Sequence, residues 1–129
     1  MNQTDAFRKA VEAVDLDAMM AQFAEKAVLH SPVTFPPFEG RDAIKQLLGI
    51  LFQVFQDFEY TDELEAQDGT AALVFRARVG DRDLQGLDLI RVDDAGLIRD
   101  LTVMVRPRSA IEALLGEVGP RLAAARGSA

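Results

Sequence analysis

The sequence predicts an α+β domain in which helices at the N-terminal end and one at the C-terminal end pack against an antiparallel sheet. Apolar residues recur at helical spacing through the first half, and four β-branched, aromatic or leucine-rich segments follow in succession. A last apolar stripe begins after Arg106-Pro107. Thr4 and Asp5 precede Ala6, Phe7, Ala10, Val11 and Val14, so a capped first helix is expected there. Asp15 can cap a second, short helix carrying Leu16, Met19, Met20 and Phe23. Ala27-Val28-Leu29 opens an extended segment to Pro32, and Pro32, Pro36 and Pro37 make the next stretch a loop. After Gly40, the residues Ala43, Ile44, Leu47, Leu48, Leu51 and Phe52 mark a third helix ending near Phe55.

Strands are expected over 58–64, 70–79, 84–92 and 97–105. The breaks Gln67-Asp68-Gly69, Gly80-Asp81-Arg82 and Asp93-Asp94-Ala95-Gly96 have hairpin chemistry, because Gly accepts positive φ and Asp bonds the local backbone. Their acids therefore read as turn formers. The last helix should carry Ile111, Leu114, Leu115 and Val118 on one side, with Gly127-Ser128-Ala129 fraying.

A chain of 129 residues is best served by one hydrophobic core, so residues 1–129 read as a single domain. Twenty-one acidic against 14 basic residues give a formal charge of -7, which argues against a nucleic-acid or anionic-membrane partner. There is no cysteine, hence no disulfide, thiol nucleophile or thiolate metal site. The start MNQTDAFRKA lacks the basic and apolar runs of a secretory signal, and a cytoplasmic protein is expected. With one histidine and no glycine-rich phosphate loop, neither a metal nor a nucleotide cofactor is expected.

Asp88 interrupts the apolar run Leu87, Leu89 and Ile90 in the middle of a strand, and alternation puts it on one face with Gly86 and Ile90. If that face is buried, desolvation favours the neutral acid; an arginine or backbone amides beside it would instead favour the carboxylate. Tyr60, the one tyrosine, can offer its hydroxyl to a ligand or reach solvent from a packed ring. Arg76 and Arg78 share a face with Val74, opposite Leu73, Phe75, Ala77 and Val79, and that face should be the outer one. Val74, Leu87, Leu89, Thr102 and Met104 there predict an apolar surface that a second copy covers, making a homodimer.

The stretches FAEKAVLHSPVTFPPFEGRDAI and GLDLIRVDDAGLIRDLTVMVRP resemble the nuclear transport factor 2-like superfamily, which includes SnoaL-like and ketosteroid isomerase-like proteins. That resemblance implies a cone-shaped curved sheet of cystatin-like type with an interior pocket, and it turns Asp88 inward. It also implies binding of a small apolar or polycyclic molecule, with proton transfer or cyclisation as the reaction class. The alternative is a non-catalytic ligand-binding or dimeric interaction module whose pocket is filled. On the isomerase pattern, Phe7 falls where a tyrosine would stand, Ser31 where the base would stand, and Asp88 where the protonated aspartic acid would stand. Two of the three catalytic groups are thus absent.

On the same register Ser31 points inward and His30 outward; a bulge near Pro32 would reverse them and offer His30 as a base opposite Asp88. Phe7, Met20, Phe23, Ser31, Phe38, Phe55, Tyr60, Phe75, Ile90, Leu101 and Val103 complete the expected pocket wall.

Overall fold

In the computed structural model, which describes residues 4–127, the turns foreseen from glycine and aspartate organise the sheet. Gly69, Gly80 and Gly96 all take positive φ where strands reverse. They separate β3 (Gln56–Glu65), β4 (Ala71–Val79), β5 (Arg82–Val92) and β6 (Ile98–Arg106), which pair antiparallel in sequence order. The carboxylate of Asp93 takes the backbone amides of Ala95 and Leu97, which gives that acid its turn-forming work.

Two strands lie outside this meander. β1 (Phe23–His30) joins β6 in parallel, and β2 (Phe38–Glu39) pairs antiparallel with β1, so the sheet order is β2-β1-β6-β5-β4-β3. The proline-bearing stretch therefore contains a two-residue strand where a loop was expected. Phe23 is a second correction, since it opens β1 rather than continuing the short helix α2 (Leu16–Met20). Ile98 donates its amide to the Gln22 carbonyl at 2.8 Å and Phe23 pairs with Ile98, so edge pairing on β6 outweighs the helical spacing.

Asp15 caps α2 by accepting from the Ala18 amide at 3.1 Å. The first helix, α1 (Asp5–Glu12), has Thr4 at its N-cap without a capping side-chain bond, and Thr4 is itself buried. α1 ends in a paired closure in which the Val14 amide reaches the Val11 carbonyl and the Asp15 amide reaches the Ala10 carbonyl. Val14 stands at the position glycine usually fills there, with φ of 52°.

α3 (Arg41–Val54) buries Ile44, Leu47, Leu48 and Leu51 against the concave sheet face, as its period predicts. α4 begins at Arg108, after Pro107, and runs to Gly127, while Ser128 and Ala129 lie outside the described residues. It buries Ala110, Leu114 and Val118; Leu115 faces outward, because the i, i+4 row from Ala110 carries the packing. Among the described residues, no helix is long and apolar enough to cross a membrane.

Candidate functional site

Alternation along the central strands decides what enters the concave side. On β4, Leu73, Phe75, Ala77 and Val79 are buried, and on β5 Leu84, Gly86, Asp88 and Ile90 are buried. Leu101 and Val103 face the same way on β6, opposite Ile90 and Asp88 respectively. Arg76 and Arg78 lie outside, where Arg78 holds Asp57 at 2.9 Å and the Gly80 carbonyl at 2.6 Å.

Asp88 is 7% exposed, and among the described residues no arginine pairs with it. Its Oδ2 instead accepts a hydrogen bond from the Tyr60 hydroxyl at 3.0 Å. Tyr60 therefore offers its hydroxyl neither to solvent nor to open space. Its ring pairs across β3 and β4 with Phe75 and reaches over to β5. Burial pushes the Asp88 carboxyl up to about 7, against the opposing pull of the Tyr60 bond. Burial also holds the Tyr60 hydroxyl far above its ordinary value, reinforced by the Asp88 charge and the hydrogen bond. Asp88 Oδ1 takes no partner among the described residues. Since no fully buried side-chain N or O atom there is unpaired, Oδ1 keeps a small accessible surface.

Aromatic rings build the wall beside this pair. Phe58 stacks on Phe75 at 4.8 Å and meets Tyr60 edge-on at 5.1 Å, while Phe55 stands 6.0 Å from Phe75. Sequence reasoning passed over Phe58, although Phe58 and Tyr60 are two apart on one strand and share a face.

Arg8 was also missed. Its guanidinium lies 5.7 Å from the Tyr60 ring centroid and reaches Glu63 at 2.9 Å and Glu12 at 3.3 Å. The i, i+4 spacing of Arg8 and Glu12 was the available signal.

The remaining expected residues are dispersed. Phe7 packs edge-on against Phe23 at 5.8 Å, and Phe38 lies under the Arg126 guanidinium at 5.2 Å. Met20, like them, is buried core. Ser31 lines the interior, but its hydroxyl receives the amides of Val33 and Thr34 and so serves the loop.

His30 does not meet Asp88. Leu29 is fully buried, so His30 falls on the other face, 3.3 Å from Asp100. The register irregularity of β1 lies between Phe23 and Val28, too early to turn His30 inward.

A narrow interior void of about 10 Å³ is lined by Leu29, Ser31, Leu47, Phe55, Val103 and Leu114 among others, and Asp88 is not on its wall. Among the described residues no three His, Asp or Glu side chains converge as a metal site requires.

Comparison with known proteins adds to this geometry. The model of the SnoaL-like domain matches residues 4–101. A crystal structure from Pseudomonas aeruginosa described as a steroid delta-isomerase is 37% identical, with a TM-score of 0.90, covering 97% of this chain and 92% of the other. A Silicibacter pomeroyi protein described as uncharacterized, with a cystatin-like fold, is 30% identical with a TM-score of 0.87, over 92% of this chain and 84% of that one. A Kribbella flavida protein described as a putative ketosteroid isomerase shares the fold at 20% identity and a TM-score of 0.68, over 81% of this chain and 76% of its own. No curated protein matches.

Proposed function

Because this chain belongs to the SnoaL-like domain family, we propose that it binds a small, flat, apolar molecule through one oxygen of that molecule, with Asp88 as the donor. The observation that carries this reading is the carboxyl itself. One oxygen is tied to Tyr60, the other is unpartnered, and both sit among Phe58, Phe75 and other apolar groups. Below pH 7 such an acid is neutral and can donate to a carbonyl. A fused-ring ketone is the ligand class, supported by the steroid delta-isomerase described for the Pseudomonas aeruginosa structure.

An acid alone polarises a carbonyl; removing a carbon-bound proton needs a base as well. Ser31, at the place of the base, is committed to its loop, and His30 lies on the other face beside Asp100. Binding and polarisation are therefore proposed, rather than a complete isomerisation.

A naphthyl ketone, acyl-dimethylaminonaphthalene, tests this, because its emission shifts to the blue in apolar surroundings and it accepts but cannot donate. Saturable, blue-shifted binding is expected at pH 6, weakening as pH rises through about 7. Above that the affinity should fall by about tenfold per pH unit, and Asp88→Asn should show no such fall. Binding that ignores pH in both proteins would reject Asp88 as the donor. Absence of binding to either folded protein would favour the second reading, an interaction module with a filled interior, which the 10 Å³ void supports.

The proposed partner is a second copy. The outer sheet face carries a groove of about 300 Å³ whose lining includes Val74, Leu87 and Met104 together with Gln85 and Arg106. Glu59 and Asp62 on β3 share this face with Arg76 and Arg106, so a twofold axis brings the acids of one copy to the arginines of the other. Leu87→Glu should convert a dimer to a folded monomer in analytical ultracentrifugation. A wild-type monomer at micromolar concentration would refute the pairing.

A further inference from the structure

Building on the proposed ligand site, we infer that α1 is a hinged cover over the Tyr60–Asp88 pair, latched by Arg8 and jointed at Val14. Asp88 stands off the small void around Phe55 and Val103, and a molecule reaching it needs more room than that void supplies. Something above the pair must move. The sheet is tied strand to strand, and α3 buries a long apolar face. α1 is shorter and buries only Phe7, Ala10 and Val11, and it presents its Arg8–Glu12 side to Tyr60 and Glu63.

Arg8 acts as a latch because a single side chain joins α1 to β3 in two ways. It makes the ion pair with Glu63 and lies over the face of the ring whose hydroxyl holds Asp88. Lifting α1 would break both contacts and uncover Tyr60 from above.

Val14 supplies the joint. A β-branched residue at φ of 52° is sterically disfavoured, and the helix closure through Ala10 and Val11 imposes that conformation. Val14 is also an exposed large apolar residue, so no core packing holds its side chain there. Closing α1 thus loads strain at the joint, and opening releases it. The cover is held down by the latch and by its buried Phe7, Ala10 and Val11, and pushed up by its own hinge.

Hydrogen exchange on ligand-free protein tests the cover independently of any ligand, with the slow amides of β4 and β5 reporting global stability. Amides of α1 should exchange faster than those of β4 and β5. Arg8→Ala should speed α1 exchange by about tenfold while β4 and β5 change far less. Val14→Gly should slow α1 exchange by about fivefold, since glycine relieves the closed-state strain. Arg121→Ala, on the outside of α4, should leave α1 unchanged.

If α1 exchanges only together with the central strands, or if Val14→Gly accelerates it, the cover is overturned. The naphthyl ketone then separates the two ideas. Faster probe association in Arg8→Ala, tracking the exchange rates, supports the cover as the entry route. Exchange behaving as expected with no probe binding leaves the cover standing and removes the ligand reading. Probe binding with α1 exchange locked to the global rate does the reverse.

Discussion

Replacing Asp88 by asparagine should flatten the stability profile between about pH 4 and pH 7 and reverse the order of the two proteins across it. In the unfolded chain Asp88 titrates near its ordinary 3.8, and in the folded protein near 7. Between those values the folded state holds a proton that the unfolded state has lost. The slope of unfolding free energy with pH is therefore negative, and stability falls as pH rises. At about 1.4 kcal/mol per pH unit, the loss approaches about 4 kcal/mol by pH 7 and is constant above it. This is opposite in sign to a carboxylate held low by an ion pair.

Asparagine has no such proton. Its amide still accepts from Tyr60 but adds donors to a buried site, at a cost of about 1–3 kcal/mol at every pH. Asp88→Asn should thus be the less stable protein at pH 4 and the more stable at pH 8. Denaturant unfolding across that range gives the comparison, and taking the difference removes the contribution of the many surface carboxylates common to both proteins. Parallel curves would mean that Asp88 does not titrate in the folded interior.

Gly86→Ala should cost about 3 kcal/mol, a large effect for one methyl group on a strand. Gly86 lies directly opposite Phe75, and a Cβ built there would collide with the tip of the Phe75 ring, at Cζ and both Cε atoms. That ring has nowhere to go, with Phe58 stacked on it at 4.8 Å and the rings of Phe55 and Tyr60 close by. Moving it would also disturb the tyrosine that holds Asp88. Phe75→Leu should cost stability alone yet recover part of the loss in the double variant, with a coupling of more than about 1 kcal/mol. Equilibrium unfolding of the four proteins in this cycle tests it, and additive costs would show that the ring and the missing side chain are independent.

The sequence carried the meander well because its signals are local. Turn glycines and alternation at Leu73, Phe75 and Ile90 need only neighbours along one strand. The same alternation put Asp88 and Arg76 on opposite faces. Phe23 and the short β2 were misread because their structure comes from partners distant in the chain, Ile98 for one and β1 for the other. Leu115 fits a helical stripe as well as Leu114 does, and the packing partner, not the period, chooses between them.

At the site, Asp88 was legible as a polar residue where an apolar one belongs. Tyr60 as its donor was not, since that contact crosses two strands and depends on the Phe75 ring leaning over Gly86. The Arg8–Glu63 latch, 55 positions apart in sequence, leaves no trace in either local pattern.

The parallel join of β1 to β6 has a consequence for the chain as it is synthesised. β1 is made well before its parallel partner β6, which is the last strand of the meander. Until then β1 has only the two-residue β2 beside it, at Val28 and Leu29, and its other edge stays unpaired. Native closure waits on a contact of long sequence separation, the kind that slows folding. The hairpins from β3 to β6 can form first and offer β6 as a ready template, so that the earliest strand made is among the last to find its place.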